Sequence, residues 1–244
     1  MIVAVHQPHF LPWLGYLDRM RSADLFIILD HVQFERRNYQ NRTRIRMNDE
    51  AQWLTVPVVQ QSQKEIITDK RIDNVTDPRG WGAKQFQTLK HAYRQSPHFK
   101  DYAIELQALL EHRWDKLADL DQATLDFLRD ALDIRTPLVT SSSLAPASAK
   151  SELILELCKA VGADTYLAGM GGSRAYLDRE KFQGEGVTIA WQEFKHPEYP
   201  QCGAAPFIKG LSAVDMLFNC GAEQGRELMK RSAVLEVAPE AQMA

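Results

Sequence analysis

The chain has 244 residues, 45% of them hydrophobic and 25% charged, which is enough to bury a substantial core. Its formal net charge of -3 gives no global field toward nucleic acid or an anionic membrane, so a charged partner has to be met by a local patch. No apolar run approaches the roughly 20 residues of a membrane span. The opening MIVAVHQPHF lacks the basic region, apolar stretch and cleavage site of a secretory signal, so the expectation is a cytoplasmic protein with no membrane insertion. Cys158, Cys202 and Cys220 have no CxxC spacing, which suggests neither a disulfide framework nor a zinc site.

In chain order, IVAVH (2–6) is short, β-branched and apolar and reads as a buried strand. Trp13, Leu14, Leu17 and Met20 recur at helical spacing, and LFIIL (25–29) is a second buried strand. Strand, helix and strand so close together form the βαβ unit of a parallel sheet. Asp30 then falls at the carboxyl edge of that sheet, where open α/β folds bind ligands. The polar segment 32–49 follows, then a strand over WLTVPVV (53–59). KQFQTLKHAYRQ, YAIELQALLEHRW and LADLDQATLDFLRDAL carry helical apolar stripes. PLVT is a short strand before TSSSLAPAS. SELILELCKAVG is a helix closed by Gly162, TYLAG and VTIAWQEF are strands, and LSAVDMLFNCG is a late helix ending at Gly221. The expected fold is α/β, an open, mostly parallel sheet of Rossmann-like type, as one domain over 1–244 with a mainly helical insertion at about 78–135.

Four segments carry polar chemistry. The first is the loop His6 to Tyr16. Pro8 and Pro12 stiffen it, and Gly15 at the start of a helix lets a backbone approach an anion beside His6, Gln7, His9, Trp13 and Tyr16. The second, DHVQFERRNYQNRTRIR, gathers Arg36, Arg37, Arg42, Arg44 and Arg46 with Asn38, Gln40 and Asn41. Arginine forks suit phosphate or carboxylate, and the amides suit sugar or base groups. Arg42, Arg44 and Arg46 also alternate as on an edge strand. The third, AGMGGSRAYLD, could turn Gly169, Gly171, Gly172 and Ser173 toward an anion with Arg174 as the charged contact, although it matches no nucleotide-binding motif. The fourth, FKHPEYPQ, holds His196, a side chain able to exchange a proton near neutral pH. No histidine spacing argues for a metal site, although Asp30 could hold a nucleotide-borne magnesium ion. Tyr39 in the basic segment could stack on a base, but the remainder of the chain is net acidic, so nucleic acid is not the expected partner.

The runs VAVHQPHFLPWLGYLDRM, ADLFIILDHVQFERRNYQNR, WLTVPV, TSSSL, GADTYLAGMGGSRAYLD, FKHPEYPQ and LSAVDMLFNCG, in order along nearly the whole chain, resemble the WbqC-like family. That resemblance implies a transferase of bacterial O-antigen and related polysaccharide biosynthesis, specifically a glycine transferase. At the level of fold, the opening is also similar to that of nucleotidylyltransferases. Gln7, Pro8, Gly15, Asp30 and Gln33 occupy comparable places, but Trp13 and Tyr16 stand where the phosphate-binding pair of the T/HxGH motif would be.

The functional expectation is glycyl transfer to a nucleotide- or lipid-linked sugar. Glycine has to be activated first because a free carboxylate is a poor electrophile, and ATP with magnesium is one route. The expected catalytic residues are His6, His9, Arg37 and His196, with the arginines neutralising transition-state charge and His196 as general base. The expected nucleotide-binding set is Gln7, Trp13, Gly15, Tyr16, Asp30, Gln33, Arg36, Asn38, Asn41, Arg42, Gly171, Gly172, Ser173 and Arg174. The partner is a small molecule: a nucleotide, a sugar or an amino acid. The alternatives are a nucleotidylyltransferase and a non-catalytic module that binds a nucleotide sugar.

Overall fold

A computed structural model describes residues 1–60, 62, 64–77, 80–171, 177–204 and 206–236, with the backbone alone over 231–236. The alternation in β1 (Ile2–His6) sets the frame, because Val3 and Val5 pack into one apolar cluster and Ala4 into another. The same division holds along the sheet: Tyr166 and Ala168 of β6 (Thr165–Ala168) join the first cluster and Leu167 the second. A sheet apolar on both faces must be covered on both, as the sequence of βα units requires. On one side lie α1 (Leu14–Arg21), α4 (Leu117–Leu132) and α8 (Ala213–Ser232). On the other lie α6 (Lys150–Ala160) and α7 (Arg179–Gly184). Leu167 is fully buried between β1 and β7, and its truncation to alanine costs about 2–5 kcal/mol by loss of burial and cavity formation.

With β2 (Leu25–Ile28), β5 (Leu138–Thr140), β7 (Thr188–Phe194) and β8 (Ala233–Glu236), the six-stranded sheet has the order β5-β2-β1-β6-β7-β8. The first five are parallel and β8 is antiparallel to β7. The parallel strands thus run 3-2-1-4-5 in chain order, the doubly wound arrangement whose chain direction reverses beside the first strand. The long connection from β2 to β5 contains a separate hairpin, β3 (Arg42–Met47) and β4 (Glu50–Thr55), and then α2 (Trp81–Tyr93), α3 (Phe99–Glu111) and α4. A four-residue α5 (Ser141–Leu144) follows β5.

The structure departs from the sequence reading in three places. The strand expected at 53–59 is β4, which starts earlier and ends before Pro57; it pairs with β3 in a hairpin apart from the main sheet. Asn48 and Asp49, at φ 52° and 62°, form the tight turn, a conformation these residues tolerate better than most. The late helix does not stop at Gly221. It breaks there, at φ 73° and ψ 174°, and resumes to Ser232, where β8 adds a strand the sequence reading lacks.

Candidate functional site

The carboxyl ends of β1, β2 and β5 face the first turns of α4 across a cavity of about 240 Å3. Pro8, His9, Ile28, Asp30 and Thr140 form its sheet side, and Lys116, Ala118, Asp119, Asp121, Gln122 and Leu125 its helical side, with Thr68 between them. Asp121 is 1% exposed, and neither carboxylate oxygen has a hydrogen-bond partner among the described residues. Burial pushes its carboxyl well above the ordinary aspartate range.

Two further unpartnered polar atoms stand close by. The Tyr16 hydroxyl, carried on α1, is buried without a partner, and its phenol is pushed up first by burial and then by the Asp121 charge. His9 is likewise buried with Nδ1 unpartnered; burial, then His6 and Arg19, hold its imidazole well below the usual histidine value. The His9 ring stacks on Tyr16 at 4.9 Å and on Tyr39 at 5.3 Å. His6 sits edge-on to His9 at 4.7 Å and to Tyr16 at 4.9 Å, lowered to about 3 by burial and then by Arg19. Arg19 is held from β7: its Nε donates to Gln192 Oε1 at 2.9 Å, while Gln192 Nε2 donates to Asp18 Oδ2 at 2.7 Å and to the Gly15 carbonyl at 3.0 Å. The Arg19 guanidinium lies where a side chain at Gly169 would project, which explains a glycine at the end of β6.

The arginine segment is fastened to the first loop. Gln40 Nε2 donates to Gln7 Oε1 at 2.9 Å, the Glu35 amide donates to Gln40 Oε1 at 2.9 Å, and the Phe10 amide donates to the Tyr39 carbonyl at 3.0 Å. Asn38 is used within the segment, donating to Glu35 and accepting from the Tyr39 amide. Arg37 adopts φ 64°, a conformation that costs a non-glycine residue about 1–3 kcal/mol. Its carbonyl is held by Arg42 Nη2, and the Arg42 guanidinium lies 3.9 Å above the Trp53 ring. Here Arg36, Arg37, Asn41 and Arg42 line a second pocket, of about 270 Å3, together with Phe34, residues 55–58 and Gln60.

The structure thus gathers His6, His9, Tyr16 and Asp30 at or beside the first cavity, and Arg36, Arg37, Asn41 and Arg42 at the second. Other sequence-derived candidates lie elsewhere. Gln33 is exposed and bridges to Ile66. Trp13 lays its indole over Gly15, so the missing Cβ at Gly15 makes room for that ring. Gly15→Ala is expected to destabilise the protein by about 1–3 kcal/mol through overpacking, as read from urea unfolding at constant slope. His196 packs among Phe194, Tyr199 and Phe207, its Nδ1 hydrogen-bonded to the Pro197 carbonyl at 2.9 Å, and burial lowers its pKa. It lines neither pocket. Gly171 is exposed beyond β6, and Gly172, Ser173 and Arg174 lie outside the described residues.

Asp30 serves the architecture: it accepts from Ser141 Oγ at 3.0 Å, the Ser142 amide at 2.9 Å and Ser142 Oγ at 2.7 Å, capping α5. His31 Nδ1 also meets Ser141 Oγ at 2.6 Å, but Ser141 is fully buried and hydrogen-bonded, so the cluster anchors the β5 loop rather than presenting a nucleophile. A magnesium ion at Asp30 would have to share oxygens already engaged by three donors. Among the described residues no group of three His, Cys, Asp or Glu side chains is disposed to hold a metal ion, and no helix is long and apolar enough to cross a membrane.

The cavity residues absent from the sequence reading are chiefly Asp121, Lys116, Gln122 and Thr68, together with Arg19 behind His6. Asp121 does carry a signal. It occupies a buried position on the apolar face of α4, with Leu117, Leu120, Leu125 and Leu128, where a charged residue contradicts the pattern.

The sequence model described as the WbqC-like protein family matches residues 7–227. The uncharacterized protein Rv1507c of Mycobacterium tuberculosis is 31% identical over 223 residues, covering 91% of this chain and 94% of that protein. No solved structure matches.

Proposed function

The chain belongs to the WbqC-like family, and from that premise we propose that it is a cytoplasmic, single-domain transferase of bacterial O-antigen and related polysaccharide biosynthesis. In this reading it moves a glycyl group from an activated donor to an amine or hydroxyl of a nucleotide- or lipid-linked sugar. The observation that carries catalysis is the cluster of buried, unpartnered polar atoms at the sheet-edge cavity: Asp121, His9 and Tyr16. Buried polar groups normally find partners, and titratable groups with strongly shifted pKa values collect where protons are exchanged.

The two shifts point to complementary roles. Asp121 is biased toward its protonated form and His9 toward its neutral form, the pairing that separates an acid from a base. As the acceptor attacks the glycyl carbonyl, His9 takes its proton. The Tyr16 hydroxyl donates to the developing oxyanion, and Asp121 gives its proton to the oxygen of the leaving group as the C–O bond breaks. Proton return from His9 to Asp121 resets the site. The 3-2-1-4-5 sheet supports a nucleotide-borne donor, because such sheets bind nucleotides at the carboxyl ends of their strands.

The test is incubation with labelled glycine, magnesium-ATP and a panel of nucleotide-linked amino sugars. Glycine incorporation with matching pyrophosphate release is expected, falling by about 100- to 10,000-fold in a folded His9→Gln variant. Ligand-induced stabilisation without transfer from either ATP-activated or carrier-bound glycine would establish a binding module instead. Pyrophosphate release from a nucleoside triphosphate and a sugar phosphate, with no need for glycine, would establish a nucleotidylyltransferase.

A further inference from the structure

We propose that the pocket between the arginine segment and the end of β4 is a separate site for a phosphate ester that carries a hydroxyl group beside its phosphate. The pocket of about 270 Å3 shares no lining residue with the sheet-edge cavity and is of a size for one phosphorylated ring rather than a polymer. Two demands meet in it. Arg36, Arg37 and Arg42 call for an anion with several acceptor oxygens. Asn41, which is 8% exposed, calls for a donor: its Nδ2 is fixed by the Val56 carbonyl at 2.9 Å, which leaves Oδ1 turned away, buried and unpartnered. A bare phosphate ester supplies the anion but no donor for Asn41. A sugar phosphate supplies both, with the ring hydroxyl meeting Asn41 Oδ1 while the phosphate meets the guanidinium groups.

The backbone is arranged for this. Arg37 is held at φ 64° with its carbonyl engaged by Arg42 Nη2, so the Arg42 cation is fixed against the backbone of the arginine segment before a ligand arrives. Arg42 Nε is also buried without a partner. In the β3–β4 register Arg42 lies opposite Thr55, a pocket residue, and Trp53 shares the Thr55 face. Because Arg42 covers the half-exposed Trp53 indole, Trp53 emission reports movement at the pocket.

The site does not depend on the glycyl-transfer reading, and its test needs no turnover. The full chain is titrated at low salt with methyl phosphate and with glucose 1-phosphate, followed by calorimetry and by Trp53 emission, with Trp53→Phe as the optical control. Glucose 1-phosphate is expected to bind at least about tenfold tighter, since a buried acceptor left unmatched disfavours the analogue that lacks the donor. Arg36→Ala with Arg37→Ala should weaken both esters by about tenfold or more. Asn41→Leu should remove the preference between them, and Asp121→Asn should change neither affinity. If Asn41→Leu does not fold, Thr55→Trp, which fills the pocket from an exposed position, should abolish binding of both. Uridine diphosphate glucose and a short-chain polyprenyl diphosphate glucose distinguish a nucleotide-linked from a lipid-linked source of the same chemistry; tighter binding of either that is lost with Arg36→Ala and Arg37→Ala supports the site. Equal binding of the two esters, binding unaffected by loss of Arg36 and Arg37, or preferential binding of single-stranded RNA would overturn the proposal.

Discussion

Asp121→Asn is expected to lower turnover by about 100- to 10,000-fold and, at the same time, to raise the melting temperature at neutral pH. The two effects have one cause. The wild-type carboxyl is buried beside the cavity with no donor to either oxygen, so its folded-state pKa lies above the ordinary 3.8. Below 3.8 the group is protonated in both states and has no differential effect. As pH rises above that value the unfolded chain ionises first, and the folded state loses about 1.4 kcal/mol per pH unit until its own pKa is reached. Asparagine does not titrate, so the variant's advantage should grow from near zero at about pH 4 to its largest value at neutral pH. Each kcal/mol corresponds to about 2–4 °C in a chain of this size. Thermal unfolding across pH, alongside the transfer assay, checks both halves. A variant that keeps its activity, or whose stability gain is the same at about pH 4 and about pH 8, would show that Asp121 is an ordinary helix residue.

The second large effect lies on the acid side and comes from His6 and His9. Both are lowered below 6.5 in the folded protein, mainly by burial, and His6 reaches about 3. Their contribution is fully present above 6.5. Below it the unfolded chain takes up protons that the folded one refuses, so stability falls with pH by at most about 2.7 kcal/mol per unit for the pair. The loss should continue toward the folded pKa of His6, about 3. The double variant His6→Asn/His9→Gln should flatten the fall in melting temperature between about pH 6.5 and about pH 5. His196, also lowered by burial, is retained in both proteins and cancels from the comparison. Parallel curves for the two proteins would mean that the rings are solvated and that the cavity is not a dry, proton-controlling environment.

The doubly wound sheet is legible in the residue pattern because its strands are short apolar runs separated by helical stripes, and parallel pairing follows from strand-helix-strand spacing. The hairpin is harder to see: Arg42, Arg44 and Arg46 alternate as an edge strand should, but the turn depends on positive φ at Asn48 and Asp49, two residues that draw attention mainly as polar loop. At the break, φ 73° and the His98 ring, which a Cβ at Gly221 would approach to 2.9 Å, both call for glycine, and no local pattern encodes that contact. The same distinction applies to the site. His6, His9 and Tyr16 stand out because they follow the first strand directly. Asp121 is far away in sequence and reaches the sheet edge only through the packing of α4, and its one local signal, a carboxylate within an apolar stripe, is easily taken for helix surface. The separation of His196 from both pockets likewise depends on how the chain beyond β7 packs against Tyr199 and Phe207.

The most direct test of the sheet-edge cavity as the reaction site is the change in melting temperature caused by glycine in the presence of saturating magnesium-ATP, measured for the wild type and for Ala118→Trp. Ala118 lines the cavity from α4 and is only partly buried, so an indole there fills the space without entering the core. Glycine is expected to add stabilisation to the wild type, about 2.7 kcal/mol at a hundredfold excess over Kd, and to add none to an Ala118→Trp protein that melts normally without ligand. An equal glycine-dependent shift in both proteins, or none in either, would contradict a reaction at this cavity.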